Sequence, residues 1–112
     1  MSLSTHILDT HRGCPAPQIK VRVYTYESED HQTLIFEGLT DNDGRAKDLI
    51  GSDHARAGLY RIVFEVGPYH QSLGIKGFYP EVSILFDVHH PDSHYHVPLL
   101  ISPFGFSTYR GS

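Results

Sequence analysis

At 112 residues the chain has the length of one domain, 1–112, able to bury roughly two-thirds of the surface its unfolded form exposes. Thirteen acidic against nine basic residues give a net charge of -4, and the basic ones are scattered, which argues against a nucleic-acid partner. The single cysteine, Cys14, excludes an intrachain disulfide, while "MSLSTHILDTHRG" lacks a basic-then-apolar leader and no run of about 18 apolar residues occurs, so a soluble cytoplasmic protein with no membrane partner is expected.

Along the chain the dominant signal is period two. A short strand is expected around Ile7. "IKVRVY" sets Ile19, Val21 and Val23 against Lys20 and Arg22, the alternation of a half-buried strand. "TLIFEGL" sets Leu34 and Phe36 against Ile35 and Glu37 and runs into "TDNDGR", where Asn42, Asp43 and Gly44 carry turn chemistry. From Lys47 to Arg56 no period holds, and the segment reads as a loop. "LYRIVFEV" gathers Tyr60, Ile62, Phe64 and Val66 on one face, and "EVSILFDV" gathers Val82, Ile84, Phe86 and Val88. Between them, "GPYHQSLGIKGF" has helical character, limited by its glycines to a turn or two. "HYHVPLLIS" alternates again, and "FGFSTY" follows Pro103 as the last strand. Seven to eight strands and one short helix predict an all-β fold, a sandwich of two antiparallel sheets.

The fifth of the longer strands is anomalous. Tyr95, Val97, Leu99 and Ile101 form its core face, but the opposite face reads His94, His96, Pro98, Leu100, which is no ordinary solvated surface. The last strand repeats the pattern, with Phe104 and Phe106 on one side and Tyr109 on the other. Strands apolar on both faces predict a covering subunit, hence a symmetric homo-oligomer with His96 and the terminal residues near its contacts. The chain runs from this strand into "YRGS" without a linker, which is either an accident of where it ends or a sign that the ending is a working part.

Several motifs are incomplete. "GFSTY" lacks the second glycine of a nucleophile elbow, with Tyr109 in its place. "DNDG" begins like a calcium loop, but the required glycine falls at Ala46 and the closing glutamate at Ser52. Cys14, between Gly13 and Pro15, could act as a thiol nucleophile only with a histidine partner. Nine histidines are many for this length, and "VHHPDSHYH" raises a zinc reading in which His94 and His96 share a strand face and His89 or His90 adds a third nitrogen. The plainer alternative makes His89, His90 and His94 solvated residues around Pro91 and Asp92.

One constellation absorbs more of the chain. "THILDTHRGCPA", "DGR", "FYPEV" and "HYHVPLLISPFGFSTYRGS" together resemble the transthyretin-related enzymes, the 5-hydroxyisourate hydrolases, over nearly the whole length. The terminal "YRGS" is the most specific element, because in this family it separates the enzyme from transthyretin, a carrier on the same fold. The resemblance implies catalytic roles for His6, Arg45, His96 and Ser112, and substrate binding by His6, Arg45, Tyr109 and Arg110, with Gly111 shaping the terminus. It also implies a homotetramer, a dimer of dimers with sites at the subunit interface, and no cofactor or metal. The implied reaction opens the N1–C6 cyclic amide bond of 5-hydroxyisourate, giving 2-oxo-4-hydroxy-4-carboxy-5-ureidoimidazoline in urate degradation.

The residue types suit that chemistry. Opening a cyclic amide needs water activated near neutral pH, which histidine can do because its ordinary pKa is about 6.5. Arginine is permanently charged and offers a fork of donors to a developing oxyanion. Which of His6 and His96 is the base is left open by the sequence. The rival from another class is a non-catalytic carrier of a small molecule on the same scaffold.

Overall fold

The computed structural model of the protein describes residues 2–112 and forms two sheets enclosing a shared apolar core. In chain order the strands are β1 (Ser2–Asp9), β2 (Cys14–Pro15), β3 (Lys20–Ser28), β4 (His31–Leu39), β5 (Arg45–Ala46) and β6 (Gly58–Phe64). After helix α1 (Val66–Ser72) come β7 (Val82–Val88), β8 (His94–His96), β9 (Leu99–Ser102) and β10 (Gly105–Thr108).

The four-stranded sheet has the order β4-β3-β6-β7, antiparallel throughout. Its registers Val21↔Phe64, Val23↔Ile62 and Ile62↔Ile84 align apolar residues on one face, as the period-two reading requires. Strand β4 departs from that reading. Val23 pairs with Phe36 but Tyr24 pairs with Leu34, so Ile35 is an extra residue with no partner opposite. Such a bulge reverses the alternation beyond it. Ile35 and Phe36 both pack on the core, and Leu34 is left 48% exposed instead of sharing the inner face with Phe36.

The other sheet is built around β1, with the path β10-β9-β1-β2 and with β5 and β8 also paired to β1. It is mixed and not purely antiparallel, because β1 runs parallel to β8 and β9. Side chains alternate identically in parallel and antiparallel strands, so periodicity could not reveal direction. Leu3, Thr5, Ile7 and Asp9 point into the core while Ser2, Ser4, His6 and Leu8 line the other face, making β1 a full-length strand and not a short piece.

The stretch "HYHVPLLIS" is one strand in the sequence reading and two in the structure, interrupted at Val97–Pro98. Pro98 has no N–H for the ladder. Across the gap the hydroxyl of Thr5 donates to the Val97 carbonyl at 2.6 Å, and the same pairing offset resumes at Ile7↔Leu99. Counting β8 and β9 as one and setting aside the two-residue β2 and β5 leaves the seven strands the pattern showed.

The "LYRIVFEV" strand stops at Phe64, and Val66 begins α1 while remaining buried. The helix ends at Gly74, whose φ of +72° favours glycine; the N–H groups of Gly74 and Ile75 return to the carbonyls of Gln71 and His70. The aperiodic segment Lys47–Arg56 contains a short 3-10 turn, Ser52–His54, and sends Leu49 and Ile50 into the core. Among the described residues no helix is long and apolar enough to cross a membrane.

Candidate active site

The site is the face of β1 that turns away from the core. Parallel pairing sets Ser2 beside His94 and Ser4 beside His96, and on the other edge antiparallel pairing sets His6 opposite Arg45. The alternation of β1 therefore delivers Ser2, Ser4 and His6 to one surface, flanked by two histidines and an arginine. A cleft of about 510 Å³ lies there, lined among others by Ser4, Asp41, Arg45, Lys47, His94 and His96.

Arg45 owes its place to the turn before it. The Asp41 carboxylate accepts the N–H groups of Asp43 and Arg45, each at 2.9 Å, closing the turn from within. Gly44 has φ +73°, and its carbonyl takes the Ile7 N–H at 2.8 Å; a Cβ on Gly44 would come to 2.5 Å of the Ile7 carbonyl oxygen. The turn is thus stitched to β1 one residue from His6. The Arg45 N–H, against the effect of burial and with the Asp43 N–H and the Arg45 guanidinium, holds the Asp41 carboxyl below the ordinary carboxylate range.

His96 is half-buried and held on both edges of its ring. Nδ1 lies 2.9 Å from the Ser4 hydroxyl. The opposite edge meets Gly111, whose N–H donates to the His96 carbonyl at 2.8 Å and whose missing Cβ would stand 2.4 Å from Cδ2. Only glycine fits so close an approach, which gives the third residue of "YRGS" a steric reason. Burial pushes the His96 pKa below its ordinary value, His94, Arg45 and His6 add to the effect, and the Ser4 backbone opposes it. The imidazole is therefore neutral and able to accept a proton at neutral pH.

The other predicted residues are distributed around His96. The guanidinium of Arg110 lies over the Tyr95 ring at 4.5 Å from its centroid, a cation–π arrangement. Tyr109, 60% exposed, and Arg110 border a second cavity of about 200 Å³ that His96 shares. Ser112 is exposed and follows the bridged Gly111. The structure thus sets His6, Arg45 and His96 along one face of β1, and sets Tyr109 and Arg110 on the far side of His96.

Within this chain the histidines of the cluster do not gather around one point. His89 faces Asp87 at 3.8 Å, His90 bonds through its backbone to the Tyr95 hydroxyl, and the Nδ1 of His94 meets the Ser2 hydroxyl. Among the described residues no three His, Cys, Asp or Glu side chains are placed to hold one metal ion. Cys14 sits in β2 opposite Asp9. Sequence reasoning missed Ser4 and Asp41. The signal for Ser4 was present, since "SLSTH" and "HYH" are both period-two patterns of polar residues, but nothing in the sequence aligns one with the other.

Residues 3–111 match the HIUase/Transthyretin family. A Salmonella dublin protein named 5-hydroxyisourate hydrolase is 44% identical over 110 residues, covering 98% of this chain and 80% of that protein. The structure of 5-hydroxyisourate hydrolase from Klebsiella pneumoniae superposes with a TM-score of 0.85 at 32% identity, over 99% of this chain and 93% of its own. Transthyretin from Sparus aurata superposes with a TM-score of 0.88 at 33% identity, over 97% and 95%. So does (S)-allantoin synthase, at 0.88 and 38% identity over 98% of this chain, which spans 43% of that longer protein. On fold, coverage and sequence together, the chain belongs to the HIUase/Transthyretin family.

Proposed function

We propose that this hydrolase opens the N1–C6 cyclic amide bond of 5-hydroxyisourate, giving 2-oxo-4-hydroxy-4-carboxy-5-ureidoimidazoline in urate degradation, with residues 1–112 acting as one domain. The observation that carries the proposal is a half-buried histidine kept neutral in a cleft that it shares with Arg45, on the face of β1 that also bears a second histidine. The names of the relatives supply the substrate.

In this mechanism His96 takes a proton from water as the water oxygen bonds to C6. The amide oxygen gains negative charge, and Arg45 stabilises it with its permanently charged guanidinium. Collapse of the tetrahedral species breaks the C6–N1 bond, and His6 supplies the proton to N1. Water is thereby divided between C6 and N1, and no redox partner or cofactor enters. Within one chain Tyr109 and Arg110 lie across His96 from the Arg45 cleft, so they bind the polar edge of the ring where subunits meet, and the Ser112 end closes the pocket there.

Phe104 at 74%, Phe106 at 42% and Tyr109 at 60% exposure leave the β9–β10 end apolar and open in one chain. The assembly that covers such a patch is a homotetramer, a dimer of dimers, with each site at a subunit boundary. A carrier on the same scaffold would have no use for a neutral histidine aligned with an arginine.

The test is a coupled absorbance assay in which urate oxidase generates 5-hydroxyisourate and its decay is followed with and without this protein. Acceleration well above the spontaneous rate is expected. A folded protein that leaves the decay unchanged would overturn the hydrolase and favour the carrier.

A further inference from the structure

The Ser4 hydroxyl is tied to no other group of the proposed reaction, yet it sits on the catalytic candidate. Its oxygen is 2.9 Å from His96 Nδ1, and its backbone carbonyl takes the Val97 N–H at 3.0 Å. Parallel register fixes this meeting, because Ser4 and His96 are Cα partners in the β1–β8 ladder. Position and hydroxyl are therefore set by the sheet and not by a mobile loop. The neighbouring pair repeats the arrangement two residues earlier, with Ser2 on Nδ1 of His94 and the two imidazole planes 13° apart.

We infer that Ser4 is a positioning residue of the active site, anchoring His96 through Nδ1 so that Nε2 is the ring nitrogen that works on the substrate. The inference rests on the hydrolase reading for its consequence, though not for its geometry. An imidazole has two chemically distinct nitrogens, and the partner of one decides what the other can do. Gly111 closes the Cδ2 edge and Ser4 holds the Nδ1 edge, so rotation about the Cβ–Cγ bond is blocked on both sides. Without the hydroxyl, the Nδ1 edge keeps only the Ser4 backbone beside it, the ring samples other rotamers, and water takes the place of the hydroxyl in setting the tautomer ratio.

The experiment compares Ser4→Ala and Ser4→Thr with the unaltered protein. Ser4 is half-buried and its ladder partners are backbone groups, so both variants keep the strand pairing. Two readouts are taken: kcat and KM for 5-hydroxyisourate, and the ¹⁵N chemical shifts of the His96 imidazole, which distinguish the two tautomers. Ser4→Ala is expected to lower kcat about 10- to 100-fold with KM little changed, as misplacing a catalytic group does. The ¹⁵N shifts should move as well, and Ser4→Thr should restore both. Unmoved ¹⁵N shifts in Ser4→Ala overturn the anchor whatever the rate does. Moved shifts with unchanged kcat overturn its role in the reaction. If the unaltered protein itself shows no turnover, the hydrolase reading falls, while the ¹⁵N comparison still decides whether Ser4 sets the state of His96.

Discussion

In the sheet β4-β3-β6-β7 every strand runs seven to nine residues and pairs along most of its length. In the sheet around β1, the other strands are two to four residues long. His6, Arg45 and His96 all belong to the second sheet. Long ladders make a regular platform whose inner face is occupied by packing. Short strands end in turns and gaps, and at those ends the chain can aim polar side chains at one point. Both sheets bury one face in the shared core, but only the second is pinned to β1 at several short contacts that bring polar side chains to a cleft, which is where the proposed chemistry sits.

The sharpest way to break this division is to exchange the expected roles. His96→Asn or Arg45→Ala should lower turnover on the order of 10²-fold or more, as loss of an acid–base group or of an oxyanion partner does, while the melting temperature stays near its original value. Ile62→Ala, in the fully buried centre of the other sheet, should do the reverse. It removes core contacts worth about 2–5 kcal/mol, lowering the melting temperature while the folded fraction turns over normally. Steady-state kinetics and thermal unfolding on the same samples read both arms. A fully active His96→Asn, or an Ile62→Ala protein that is folded and inactive, would mean that the two sheets do not divide the work.

A smaller effect is expected at Gly111, whose backbone packs against the His96 ring. Gly111→Ala puts a Cβ at 2.4 Å from His96 Cδ2, so either the ring or the terminal segment must shift. A fall in kcat of about 10- to 100-fold is expected for a displacement of that size. Gly51→Ala serves as the control, because a Cβ there meets nothing within 4 Å. Equal activity of the two variants would show that the terminal segment gives way without disturbing His96.

How much of this was legible in the sequence follows the same division. Ile19, Val21, Val23, Tyr60, Ile62 and Phe64 were readable as core from alternation alone, since long half-buried strands leave period two behind. The bulge at Ile35 was not, because an extra residue changes which face follows without changing composition. The parallel pairing of β1 with β8 and β9 escaped because periodicity carries no direction. For the site, the odd face of His94, His96 and Pro98 was visible as an anomaly. That His96 rests on Ser4 and Gly111 depends on residues 92 positions upstream in one case and on a backbone approach in the other. Neither leaves a local trace, and Gly111 entered the reading through family resemblance and not through its sterics.

The finest test of the short-strand sheet is the pH dependence of kcat/KM. In the proposed mechanism His96 must be neutral to accept a proton from water, so activity is expected to fall as the pH drops through its pKa. Burial depresses that pKa, with His94, Arg45 and His6 contributing in the same direction and the Ser4 backbone against it. The acid limb is therefore expected to lie below the ordinary histidine value of about 6.5, with turnover preserved into mildly acidic solution. His94→Gln removes the largest of the neighbouring charges and leaves burial in place, so the limb should move upward toward the ordinary value without reaching it. A limb already at or above the ordinary value would assign the base to another group. A limb that ignores His94 would mean burial alone sets the proton affinity of His96, and the paired histidines of β8 would then share a strand without sharing a function.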